Sequence, residues 1–380
     1  MSLFAPHMLV HLIVRGLDLA TMVIVVGGLA FETFVAAPAL RQLDLSPSER
    51  RPVALAFRRR HTRLVGWSLV ALLVIQGIDI ILRVQMMSGR PFSVVAGLIP
   101  QAAVGTHVGK AWLGKMAVLV GLLVTWILAL RMEASSSSRS TWHHRALLIG
   151  AGLFCLMVAL AGHAADRGNV SVDVAADWLH VMAVSAWVGG LVSLRALLPA
   201  VLESLDDKTA ARLFTHAMDR FSTVAGWAVG ILAATGVYSI WLHIPTWAGL
   251  SGTYGIALIA KLALVAPMIG LGALARFVSL PELRALTGEP ARSGPLARFA
   301  TRCLAVARPM AVLRTASAGA TAAQIRRRCL RFILFECALA VGVLAATAVL
   351  TQTMPPHVTG FPPTGATPPD MSDMPGMPMR

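Results

Sequence analysis

Histidine and methionine are the side chains of this sequence best suited to chemistry, and their placement is uneven. His7, His11, His107, His163, His180, His243 and His357 stand at or beyond one set of ends of apolar runs, while His61, His143, His144 and His216 stand in the Arg-rich connections at the other ends. Neutral imidazole is a common copper ligand, and burial keeps it neutral. Each could equally be an interfacial residue bonded to a backbone carbonyl. Past the last apolar run come Met354, His357, Met371, Met374, Met377 and Met379. Thioether sulfur is a soft ligand suited to Cu(I), and a solvated Pro-rich segment gives methionine no core to fill. A tail that is merely rich in Met is the alternative.

A second group of polar residues falls inside apolar runs. His7, His11, Arg15, Asp18 and Met22 follow steps of three and four and share one helical face. Arg15 and Asp18 are spaced to neutralise each other, and the stripe reads either as a pathway or as a helix-packing seam. Asp173, Asp177 and His180 also share a face, whereas Met182 points about 200° away from His180 at about 100° per residue, which excludes a local His–Met pair. Lys115 and Lys261 occupy matching places near the starts of two runs, where they either snorkel or pair with Asp18 or Asp79. Asp79 precedes Arg83 by four residues and suits a plain ion pair. Glu336 lies about 10 Å inside the last run, an acid without an obvious local partner and a pathway candidate.

The elements that must position these groups are membrane helices. The chain has 380 residues, 56% hydrophobic and 13% charged, whereas a soluble domain carries about 25% charged residues. Eight runs are long enough for a bilayer core of about 30 Å: 8–38, 64–87, 110–131, 146–164, 174–200, 222–243, 253–280 and 330–352. The first has no basic n-region or cleavage site and is expected to be a retained span. Lys and Arg number seven in 39–63, three in 131–145, three in 201–221 and eleven in 276–331, against three in 83–110, one in 164–173, none in 244–252 and one in the tail. The positive-inside rule then places both termini outside the cytoplasm. The Arg-rich loop 281–329 is expected to lie on anionic lipid, and residues 353–380 to form a disordered tail. Arg residues clustered between apolar runs do not suit nucleic acid, and four Cys without CxxC spacing support neither disulfides nor a thiolate zinc site. Asp207-Lys208-Thr209 matches the phosphorylated motif of cation-pumping ATPases, but its short loop leaves no room for nucleotide domains.

The sequence also repeats. Leu17-Asp18 precedes Gly27-Gly28-Leu29 as Leu179-His180 precedes Gly189-Gly190-Leu191; Gly66-Trp67 recurs as Gly226-Trp227; Gly109 stands six residues before Lys115 as Gly255 does before Lys261. The expected architecture is an all-α polytopic membrane protein of about eight helices in two parallel four-helix repeats, 1–164 and 165–352. The paired glycines suit close helix approach.

Gly162-His163, Trp178-Leu179-His180, Trp187-Val188-Gly189-Gly190-Leu191, Thr253-Tyr254-Gly255 with Lys261, and Arg331-Phe332 through Glu336 to Met354-Pro355-Pro356 together resemble the copper resistance protein D family of bacterial inner-membrane proteins. The resemblance covers best 145–356 and implies copper uptake or resistance beside a small periplasmic copper-binding partner. It brings no ligand set, and the Met-rich tail is not a general family feature. The expected function is non-enzymatic: His7, His11, His163, His180 and the tail residues capture copper as Cu(I) and pass it along Asp18, Met22, Lys115, Lys261 and Glu336 in a polar seam between the repeats. Two other readings stay open, a haem-binding redox protein with His163 and His180 as axial ligands and a docking platform for a copper chaperone.

Overall fold

The computed structural model describes residues 6–135, 142–162, 168–244, 250–289 and 320–353, and helices are the regular structure among them. In chain order they are α1 Met8–Arg41, α2 Pro47–Ser88, α3 Phe92–Gly105, α4 His107–Ser135, α5 Trp142–Leu160, α6 Val172–Leu202, α7 Asp207–His243, α8 Thr253–Thr287 and α9 Ala322–Gln352. All but α3 are long and apolar enough to cross a membrane. In hydrocarbon each backbone N–H and C=O must be satisfied within its own segment, so long apolar runs become continuous helices. Trp67 and Trp227 are 73% and 71% exposed, which marks them as lipid-facing.

The helices outrun their apolar stretches at the Arg-rich face. A capping box starts α2, with the Glu49 amide donating to Ser46 Oγ and the Ser46 amide to the Glu49 carboxylate at 2.9 Å; Thr321 and Gln324 do the same for α9. Parts of the segment expected as loop, 281–287 and 322–329, are therefore helical. Two ion pairs and a hydrogen bond hold these extensions: Arg284 to Asp219, Arg328 to Glu282 at 2.5 Å, and Arg276 donating to the Ser222 carbonyl at 2.6 Å. The remainder of that loop, 290–319, lies outside the described residues.

Helix α3 was not expected. At 14 residues it spans about 21 Å, too short to cross. Val95 packs on Ile80 and Val84 of α2, and Phe92, Val94 and Val104 stay exposed, a composition suited to the membrane interface.

At the centre α1 packs against α6. A Cβ on Gly27 would lie 2.2 Å from the Ser185 carbonyl oxygen and 2.5 Å from Gly189 Cα, and one on Gly189 would lie 2.0 Å from the Val23 carbonyl oxygen. The glycines matched in sequence thus meet one another, and no other residue fits. Around this crossing α1 also contacts α2, α5 and α9, while α6 contacts α5, α7 and α9. Helix α4 packs on α5 as α8 packs on α9.

Candidate functional site

Helix α1 buries its polar row. His11 is 8% exposed and Asp18 3%. Asp18 is held from two sides: Arg15 donates to Oδ2 at 2.8 Å, and Gln76 of α2 donates through Nε2 to Oδ1 at 2.6 Å. Arg15 also donates to Thr351 Oγ1 of α9 at 3.3 Å, and Trp112 of α4 donates to the Gln76 backbone carbonyl at 2.9 Å. Four helices therefore meet at this level. Lys115 of α4 is 3% exposed and interacts electrostatically with Asp18 and Asp79, so its ammonium stays inside the bundle instead of snorkelling. Asp79 accepts from Arg83 at 2.7 Å, the ion pair its spacing suggests. Charges here offset one another, as buried charges must. Gln76 Oε1 is buried without a hydrogen-bond partner among the described residues.

A separate polar cluster forms between α6, α7 and α8. His180 Nδ1 lies 2.9 Å from Thr235 Oγ1, and that hydroxyl donates to the Ile231 carbonyl at 2.8 Å. With its only proton committed to a carbonyl, Thr235 accepts from His180, which sets the Nδ1–H tautomer. The Nε2 lone pair is then presented for a metal or a proton, the second-shell arrangement found behind histidine ligands. Lys261 interacts with both His180 and Asp177. Tyr238 donates to Asp173, and Trp178 Nε1 donates to the Gly152 carbonyl at 2.9 Å, which ties α6 to α5.

The expected residues therefore do not gather into one seam. Asp18 sits among α1, α2, α4 and α9, and His180 sits with α7 and α8. Met22, 2% exposed, packs in the apolar core. Glu336 is 2% exposed and faces Gly272 of α8, where an added Cβ would lie 3.2 Å from its Oε1. The side chain of His7 lies outside the described residues, as do His163, Met354, His357, Met371, Met374, Met377 and Met379. Among the described residues no three of His, Cys, Asp and Glu group as a metal cage would require.

Gln76, Thr235 and Glu32 were not singled out from sequence. The first two are isolated polar residues in apolar runs, visible only once a partner is known. Glu32 meets His61, which sequence reading assigned to a loop: His61 Nδ1 lies 3.1 Å from Glu32 Oε2, and its Nε2 lies 3.0 Å from the Gly28 carbonyl oxygen.

Comparison with known proteins matches two family models, "Copper resistance protein D-like, N-terminal domain" over residues 7–172 and "Copper resistance protein D" over 215–307. The chain is 32% identical to Copper resistance protein D of Pseudomonas syringae pv. tomato over 269 residues, 67% of this chain and 81% of that protein. It is 34% identical to Copper transport protein CutJ of Bacillus subtilis (strain 168) over 179 residues, 47% of this chain but only 32% of that larger relative. No solved structure matches. With family models matched over residues 7–172 and 215–307 and a relative covered over most of its length, this multi-pass membrane chain belongs to the copper resistance protein D family.

Proposed function

We propose that the chain takes copper, as Cu(I), at the face bearing its termini and passes it across the bacterial inner membrane. The observation that carries this reading is the His180–Thr235 pair, which occupies imidazole Nδ1 and leaves the Nε2 lone pair as a ligand. The relatives are named for copper resistance and copper transport. The Lys and Arg counts of the connections support a periplasmic location for both termini.

Capture begins at His7, His11, His163 and the tail residues Met354, His357, Met371, Met374, Met377 and Met379, with copper delivered by a periplasmic copper-binding protein. The last turn of α9 bonds Arg15 through Thr351, one helical turn from His11, so α9 ends close to the first ligands. Onward transfer uses His180, and Glu336 serves nearer the basic face. The two clusters act as equivalent stations of two four-helix halves related by an axis through the Gly27–Gly189 crossing. Transferring a bare ion into hydrocarbon costs tens of kcal/mol, so ligands must replace hydration along the route. The membrane potential contributes about 2.3 kcal/mol per charge per 100 mV.

Copper flux into proteoliposomes containing the purified chain tests the proposal. Uptake above protein-free vesicles, with metal analysis showing copper and no haem absorption, is expected. Normal copper docking without flux would leave a platform for a copper chaperone, and strong visible absorption would leave a haem protein.

A further inference from the structure

Glu32 and His61 form a buried pair that the proposed route does not use. A carbonyl oxygen can only accept, so the 3.0 Å contact with Gly28 requires a proton on His61 Nε2. The second contact, Nδ1 to Glu32 Oε2 at 3.1 Å, then needs a proton of its own, carried either by the imidazolium or by the carboxyl group. Both forms are neutral as a pair. Without that proton two lone pairs would face each other and the pair would carry one negative charge, with His61 only 1% exposed.

The surroundings hold the geometry and supply no substitute charge. Phe57 stacks on the imidazole with ring centroids 5.9 Å apart, and Trp126 of α4 meets it edge-on at 5.9 Å. Ser193 of α6, beside Gly28, spends its hydroxyl proton on the Gly189 carbonyl. Helix α7 packs against the π-helical turn Glu32–Ala36, yet among the described residues no other charged side chain interacts with Glu32 or His61. Glu32 keeps 17% exposure and lies about 14 Å from Arg41 at the basic end of α1. π turns inside α-helices recur at functional sites.

We infer that Glu32 and His61 are a proton-carrying site that exchanges its shared proton against copper passing towards the basic face. This rests on the transport reading. As a Cu(I) ion arrives from the face bearing the termini, the bridging proton leaves towards that face; the cation then offsets the charge left behind, and a proton taken up from the basic face through Glu32 restores the pair once copper departs, so the basic side loses one proton for each copper it gains. One positive charge replaces another, so the interior stays neutral throughout.

The test uses the full chain in proteoliposomes with a lumenal pH dye and a lumenal copper probe, and Cu(I) added outside. Copper entry with lumenal alkalinisation is expected of the wild type. Glu32→Gln keeps a hydrogen bond to Nδ1 but carries no exchangeable acid proton, and it should reduce the pH signal per copper at least tenfold; Glu32→Asp should retain it. Should Glu32→Gln fail to accumulate in the membrane, Glu32→Met carries the same test. Copper flux without proton movement in the wild type, or undiminished proton movement in an inserted Glu32→Gln protein, overturns the inference and leaves copper transport standing. Absence of copper flux in the wild type overturns the transport reading, and the exchange with it.

Discussion

A histidine whose Nδ1–H is anchored on Thr235 has Nε2 as its remaining lone pair, and this separates a ligand from a structural residue. Glutamine in its place retains hydrogen bonding and similar size but is a poor substitute for imidazole nitrogen on copper. His180→Gln is therefore expected to reach normal membrane levels with copper accumulation close to that of a deletion strain. Wild-type accumulation would remove His180 from the route. Thr235→Val keeps the ligand and loses its orientation, and orienting partners of this kind are worth about 10–100-fold in metal affinity; copper titration of the purified variant measures it. Asp18→Asn should be milder, because Asp18 is already engaged by Arg15 and Gln76.

Between elements, the decisive contact is the α1–α6 crossing. Adding atoms to a filled interface costs about 1–3 kcal/mol, and here the obstacles are backbone atoms that cannot swing aside. Gly27→Leu and Gly189→Leu should each lower the thermal unfolding temperature in detergent. Gly77→Leu, where nothing lies within 4 Å of the added Cβ, should leave it nearly unchanged. At the start of α7, Asp206 accepts from the Lys208 and Thr209 amides at 3.0 Å each. Hydrogen bonds from Thr209 hold its carboxyl below the ordinary value. A depressed carboxylate stabilises the fold above its unfolded-state value and loses that contribution as pH falls through the lowered folded one. Protection factors for hydrogen exchange in the first turn of α7 should therefore fall on acidification, and Asp206→Ala should remove this pH dependence.

For the molecule as a whole, orientation follows from the distribution of Lys and Arg, so residues 353–380 are expected in the periplasm. A reporter active only in the cytoplasm, fused after Arg380, should be silent; activity would reverse the orientation. Deleting 371–380 removes Met371, Met374, Met377 and Met379 and is expected to weaken copper acquisition at low concentration while membrane insertion is unchanged. Loss of insertion would give the segment a structural role.

Eight crossings were legible in the sequence because lipid imposes a length and a composition on every spanning helix, and apolar runs record both. The Arg15–Asp18 and Asp79–Arg83 pairs were legible for a similar reason, since helical geometry alone brings residues three and four apart together. Helix α3 was not, because a short apolar segment containing Gly97 and Pro100 looks like a loop until it has a surface to lie on. Partners across the bundle were decided only by the fold. Gln76 beneath Asp18, Thr235 behind His180 and Glu32 against His61 are separated from their partners by 58, 55 and 29 residues. Nothing local distinguishes them from other polar residues in apolar runs. Spacing states which side chains share a helical face, but the packing of one helix on another decides which faces meet. In this chain that packing rests on two glycines whose missing side chains let α1 and α6 touch.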